Sequence, residues 1–138
     1  MVEADLAAGQ LRQSIAQLVA EGSISFTRLM RVLPELRGTA DLEVTPNIIL
    51  WRGLSQPGVD AIKDLYNEGS LFFWLCSPAI YANTGDAPFL RLMTRSRREG
   101  EQAWLPTLLC SRAPTADESK KAVREYVAEI ARNSATWS

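Results

Sequence analysis

The spacing of apolar residues changes at Gly69, and this change constrains the fold more than any other feature of the sequence. In most of the chain before Gly69 the apolar residues recur every three or four positions, which is the spacing of one face of an α-helix. From residue 71 to residue 110 they occur in short runs bounded by turn residues, which is typical of β-strands. A chain of 138 residues has the length of one domain. The sequence therefore predicts a single α+β domain.

Three helices are predicted before Gly69. Apolar spacing places the first over residues 5–21. Ser25 can cap the second helix, which ends before Pro34 because proline disrupts a helix interior. Ser55 can cap the third helix, which ends at Gly69.

Extended segments are predicted in two places. A short strand over residues 47–51 separates the second and third helices, because β-branched and aromatic residues dominate it. The preceding residues, 37–46, are polar and turn-like. After Gly69 an antiparallel β-meander is predicted from four segments: residues 71–76, 80–81, 89–95 and 103–110. Pro106 places the last of these at a sheet edge or a bulge.

The chain closes with a predicted amphipathic helix. Thr115 and Glu118 have the spacing of a capping box, in which each side chain accepts a backbone N–H bond from the other residue. The helix has one narrow apolar stripe: Val123, Tyr126, Val127 and Ile130. We therefore expect residues 115–138 to pack on the α+β domain of residues 1–114 or on a partner.

Histidine is absent from the chain, which excludes several classes of function. Imidazole acid–base chemistry, Ser-His and Cys-His pairs and histidine zinc sites all require it. Glycine-rich phosphate loops, CxxC spacing and paired carboxylates are also missing, and Asp86 beside Gly85 is more typical of a turn than of a catalytic acid. A Ser-Lys dyad remains open. The sequence favours a binding module over an enzyme, with no cofactor and no metal.

Residues 10–29 and 60–71 resemble two parts of a winged-helix domain. The first segment resembles its opening helix, short strand and second helix, and the second resembles the end of its recognition helix running into the first wing strand. The resemblance implies that the third helix enters a DNA major groove while the hairpin touches the backbone. The family normally joins its second and third helices by a few residues, whereas residues 34–54 intervene here. The fold also serves as a protein-contact module, so the resemblance leaves both functions open.

Four arginines are candidates for contact with phosphates. Arg91, Arg95, Arg97 and Arg98 lie within eight residues, with no acidic residue between them. At the tip of a hairpin they could reach the backbone of duplex DNA. The alternative is an ordinary solvated hairpin, because two acidic residues follow at positions 99 and 101.

The third helix supplies further candidates for nucleic-acid binding. Gln56, Lys63 and Asn67 are residue types that read base edges. Asp60 and Asp64 lie on the same helix and would repel phosphates. A solvated helix face is therefore the alternative interpretation here as well.

Protein interaction, with a second copy or with another protein, is the alternative to nucleic-acid binding. The candidate contact residues are Tyr126, Ile130 and Trp137. Trp137 lies near the C-terminus with no obvious core around it, whereas the other three tryptophans lie in predicted strands and are expected in the core. An acidic pI near 5.5 also suits an adaptor domain.

Cys76 and Cys110 lie in apolar runs and are predicted to be buried free thiols, with a disulfide between neighbouring strands as the alternative. The sequence shows no export signal and no apolar run of about 20 residues, the length a membrane helix needs. We therefore expect a cytoplasmic protein without a membrane partner.

Overall fold

The computed structural model describes residues 2–82, 92–93, 98 and 100–137, with no side-chain description for 2–8, 82 and 132–137. The helices are α1 (Val2–Glu21), α2 (Phe26–Val32), α3 (Gln56–Asn67), α4 (Ala79–Ala82) and α5 (Ala116–Trp137), with a 3-10 turn at Pro34–Leu36. The strands are β1 (Arg37–Thr45), β2 (Ile48–Leu54), β3 (Phe72–Leu75), β4 (Ala103–Trp104) and β5 (Thr107–Cys110). The predicted α+β class is confirmed.

The first three helices occur where the sequence predicts them. The Ser25 hydroxyl accepts the Arg28 N–H at 3.2 Å, and the Ser55 hydroxyl accepts the Gly58 N–H at 3.2 Å. Each bond satisfies an amide that the first turn of a helix leaves unpaired. Both predicted caps are confirmed.

A β-hairpin lies between α2 and α3, where the sequence predicted one strand. Residues 37–46 were expected to be a turn, but most of them form β1, which pairs antiparallel with β2. β1 buries Leu42 completely, and five of its other eight residues are exposed. Because a strand with so little buried surface needs few apolar residues, its composition is that of a polar segment. Asn47 supplies the turn with a φ of 70°.

The segments after Gly69 do not form one antiparallel meander. β3 pairs antiparallel with β5, from Phe72 opposite Cys110 to Leu75 opposite Thr107. β4 instead pairs parallel with β2, far away in the sequence. The chain therefore has a three-stranded sheet, β1-β2-β4, and a second sheet, β3-β5.

Pro106 separates the two strands that were predicted as one. It lies between β4 and β5, where its missing N–H costs no bond in either ladder. Residues 80–81, predicted to be extended, lie in α4. Of residues 89–95 only Leu92 and Met93 are described, and Leu92 forms a parallel bridge with Trp104.

Ile24, between α1 and α2, extends the second sheet. Its N–H donates to the Leu109 carbonyl at 3.0 Å, and the Leu109 N–H donates to its carbonyl at 2.9 Å. β5 therefore lies between Ile24 and β3. The helices α1 and α3 pack against each other beside this sheet.

Four aromatic rings connect the three-stranded sheet to α2 and α4. Trp51 lies 5.3 Å from Phe26 and 4.9 Å from Tyr81, measured between ring centroids, and Tyr81 lies 5.7 Å from Trp104. All four are at most 5 % exposed. The prediction that Trp51 and Trp104 belong to the core is confirmed. Trp74 is half-buried at the edge of the second sheet.

Substitution of Gly38 by alanine tests the close approach of β1 to the start of α3. An added Cβ would lie 2.5 Å from the Ser55 Cα and 2.6 Å from the Leu54 carbonyl oxygen, so backbone must move. We expect Gly38→Ala to lower the free energy of unfolding by about 1–3 kcal/mol in urea denaturation. Gly9→Ala is the control, because nothing lies within 4 Å of that Cβ and alanine favours the helix by roughly 0.5–1 kcal/mol. Equal stability of the two variants would contradict this packing.

Candidate interaction surface

The N-terminus of α5 is attached to the edge of the second sheet by a polar cluster. The Glu118 N–H donates to the Thr115 hydroxyl at 3.1 Å, and the Thr115 N–H donates to the Glu118 carboxylate at 3.0 Å. The predicted capping box is therefore confirmed. Arg112 adds two bonds to the same carboxylate, at 2.8 and 2.9 Å, and its guanidinium lies 4.6 Å from the centre of the Trp74 ring.

The middle of α5 is held to the domain by two polar contacts. The Tyr126 hydroxyl donates to the Met93 carbonyl at 2.9 Å, and Tyr126 is 6 % exposed. Burial raises the pKa of Tyr126 to about 12, so the hydroxyl keeps its proton. Ser77 donates a hydrogen bond to the Glu129 carboxylate. One face of α5 is thus occupied by its own domain.

A neighbouring face of α5 carries apolar side chains that the domain does not cover. Val123 and Val127 are each 48 % exposed. They belong to a row with alternating spacings of four and three residues, which we name the α5 stripe: Ala116, Lys120, Val123, Val127 and Ile130. Ile130 is partly buried and the other four are exposed.

The predicted interaction residues of α5 do not share one surface. Tyr126 lies against the domain, Ile130 lies at the border, and the Trp137 side chain is outside the described residues. The sequence grouped Tyr126 with Val123 and Val127 in one stripe, because all of them fit helical periodicity. The valines were not singled out as contact residues, and their spacing was the signal that could have identified them.

The predicted nucleic-acid residues of α3 do share one exposed face. Gln56, Lys63 and Asn67 recur at helical spacing and are exposed, but Asp60 and Asp64 lie among them and are exposed as well. Gln56 donates through its side-chain amide to the Asp60 carboxylate at 2.9 Å. The face therefore has mixed charge, and one of its amides is already engaged.

The predicted arginine cluster lies mostly outside the described residues. Arg91, Arg95 and Arg97 are not described. Arg98 is exposed, and its backbone N–H donates to the Glu101 carboxylate at 3.4 Å.

Other exposed arginines were missed by the sequence reasoning. Arg28 and Arg31 lie on α2, three residues apart, and Arg37 begins β1. Within the described part of the chain these three form no ion pair, whereas Arg52 pairs with Asp41 at 3.4 Å. The signal in the sequence was a short helix with two arginines and no acidic residue.

The two cysteines are free thiols, as predicted, and Cys110 is buried as predicted, whereas Cys76 is only partly buried. Cys110 lies opposite Phe72, whereas the Cys76 N–H bonds to the Pro106 carbonyl, which places them four strand residues apart, about 13 Å. A disulfide requires Cα atoms within about 7 Å. Burial, with smaller contributions from the charges of Glu129 and Cys110, raises the pKa of Cys76 to about 12, so this thiol is a poor nucleophile.

The described residues contain few other groups that could form a functional site. Nowhere in them do three His, Cys, Asp or Glu side chains meet in a way that could hold a metal ion. None of the described helices is long and apolar enough to cross a membrane. Comparisons with protein-family models, with curated proteins and with solved structures find no match to the chain. The function must therefore be argued from the residues themselves.

Replacement of Glu118 by glutamine tests the attachment of α5 through its pH dependence. The hydrogen bonds from Arg112 and Thr115 lower the pKa of Glu118 from 4.5 to about 2. A lowered folded-state pKa means that the ionised carboxylate stabilises the fold above pH 4.5 and loses this effect as the pH falls towards 2. We expect the thermal unfolding midpoint to fall less steeply over this interval in Glu118→Gln than in the wild type.

Glu125→Gln is the matched control, because Glu125 is also a carboxylate of α5 and lies 4.0 Å from its lysine partner. The thermal unfolding midpoint of Glu125→Gln should depend on pH as that of the wild type does. Identical profiles for the wild type and Glu118→Gln would show that the Glu118 carboxylate contributes nothing to the attachment.

Proposed function

We propose that this chain is a protein-interaction module, an adaptor domain whose contact surface is the α5 stripe. One observation carries the proposal. A 22-residue helix is held to the domain at its cap and its middle, and it leaves Val123 and Val127 about half exposed on a neighbouring face.

The concentration of apolar surface on α5 supports this proposal. The other exposed large apolar side chains that the structure describes lie on four different elements: Val32, Val44, Tyr66 and Ile80. Single exposed apolar residues are normal on protein surfaces. Two valines one helical turn apart form a row, and rows of this kind are what helices present to grooves or to other helices.

The charge distribution also supports a protein partner. The chain has 15 basic and 16 acidic residues. On α3 the acidic side chains of Asp60 and Asp64 flank Lys63. A surface of interleaved charge does not attract a polyanion strongly, whereas it is ordinary at the rim of a protein interface.

Capture of partners by a tagged wild-type chain tests the proposal. Val127→Lys should reduce partner recovery by about tenfold or more, because it places a charge where an apolar contact forms. A loss of about 1.4 kcal/mol of binding free energy lowers the affinity tenfold. Ala128→Lys introduces the same charge at the next exposed position of α5 and should leave recovery unchanged. Both variants should unfold at the wild-type temperature. Equal recovery with the two variants would reject α5 as the contact surface.

A second candidate function, binding of duplex nucleic acid, is favoured by a specific arrangement. Ile24, β5 and β3 lie side by side, α1 packs on α3, and α3 leads into β3. The winged-helix resemblance implies a helix, a short strand and a second helix, followed by a third helix that runs into a wing strand; α1, Ile24 and α2, and then α3 and β3, follow each other in this way along the chain. In helix-turn-helix proteins the helix before the recognition helix crosses the phosphate backbone, and α2 presents Arg28 and Arg31.

Fluorescence anisotropy with a labelled DNA duplex tests this second candidate at about 50 and 200 mM salt. If α2 contacts phosphates, Arg28→Ala with Arg31→Ala should weaken binding and reduce the dependence of log affinity on log salt by roughly two. Lys121→Ala with Arg124→Ala removes two exposed cations from α5 instead, and it should change neither the affinity for the duplex nor its dependence on salt. Absence of binding at the lower salt concentration would reject the candidate.

A further inference from the structure

The α5 stripe has the spacing of a coiled-coil seam. Two-stranded coiled coils need seam residues at alternating steps of three and four, the positions called a and d. From residue 116 to residue 130 the stripe follows these steps without interruption, and positions 134 and 137 continue them to the end of α5. At 1.5 Å per residue this seam is about 33 Å long. A row of this kind fits another helix with the same repeat.

We propose that the α5 stripe is covered by a second copy of this chain, through a parallel, in-register pair of α5 helices. The inference rests on the proposed function, for which it names the partner. In a parallel pair each of Val123, Val127 and Ile130 meets its own counterpart, so apolar positions meet apolar positions. A second copy supplies the required repeat by identity.

The residues beside the seam are compatible with this pairing. In a parallel coiled coil each g position lies beside the following e position of the partner helix. Here Ser119 would lie beside Arg124 of the other copy. The next such pair is Tyr126, whose side chain is covered by its own domain, and the small Ala131 of the other copy. No like charges meet at these positions.

The attachment of α5 to its own domain decides the direction of pairing. Tyr126 and Glu129 hold the domain to one side of the seam, near the middle of the helix. An antiparallel pair overlapping along its length would bring both domains to the same side at the same level, where they would collide. A parallel pair places them on opposite sides of the two helices. Sterics therefore select the parallel arrangement.

Lys120 is the one charged residue in the described part of the seam. At an a position a single polar residue lowers the stability of a coiled coil and specifies its register. In register the two Lys120 side chains meet and can extend their charged ends to solvent. A shift by one heptad would instead place Lys120 of one copy against Val127 of the other, and would leave the second Lys120 beyond the start of the opposite helix. The lysine thus favours the in-register dimer.

Light scattering of the purified full chain tests the partner. The wild type and Ala128→Lys should have twice the 15.3 kDa chain mass at high concentration, and Val127→Lys should have the monomer mass. A monomeric wild type at every concentration, or a dimer that survives Val127→Lys, would overturn the inference. A monomeric wild type whose partner recovery still depends on Val127 would leave the proposed function standing with a different protein as partner.

Crosslinking tests the direction of the pair. Ala116→Cys places a thiol at a seam position at the start of α5, where a parallel pair brings the two copies together and mild oxidation should give a covalent dimer. In a fully overlapping antiparallel pair residue 116 faces residue 134, so the thiols would be about 27 Å apart. Ala128→Cys, exposed and off the seam, is the control and should not crosslink. A crosslink in neither variant, from a protein that is dimeric by light scattering, would overturn the parallel arrangement.

Discussion

The Tyr81 hydroxyl group is the interaction on which the rest of the structure depends. It accepts the Phe26 N–H at 3.0 Å and donates to the Thr107 carbonyl at 2.7 Å, so one side chain connects α2, α4 and β5. Its ring contacts Trp51 of β2 and Trp104 of β4, which belong to the other sheet. Burial raises the pKa of Tyr81, so the phenol remains a donor. The two sheets are joined here through a side chain, because no ladder of backbone hydrogen bonds joins their named strands.

The core also contains buried polar groups that lower its stability because they lack hydrogen-bond partners. Within the described residues, the Trp104 indole N–H and the hydroxyls of Thr27 and Thr107 are buried without a hydrogen-bond partner. Such groups cost about 1–3 kcal/mol each. Thr27 follows Phe26 in the chain, and Thr107 supplies the carbonyl that Tyr81 binds. Burial of the aromatic rings removes a large apolar area from water and offsets this cost. The core therefore tolerates imperfect polar pairing because its apolar contacts are extensive.

The surface of α5 follows from the way the core is built. The core closes around α1, α3 and the two sheets, and among the described side chains α5 contributes only Tyr126 to the buried set. A helix attached by a cap, a phenol and a carboxylate keeps its remaining faces available. One of these faces is apolar and regular, and the proposed self-association rests on this face.

Local features of the fold were predictable from the sequence, and long-range features were not. The caps at Ser25, Ser55 and Thr115 depend on hydrogen bonds between residues three positions apart, so the sequence determined where α2, α3 and α5 begin. β1 escaped prediction because it buries little besides Leu42, and the parallel pairing of β4 with β2 joins segments about 55 residues apart. The same division holds for the candidate surface. Helical periodicity placed Val123, Tyr126 and Val127 on one stripe of α5. Only tertiary packing decided that Tyr126 turns to the domain and the valines to solvent, because the covered side of an amphipathic helix depends on its neighbours in space.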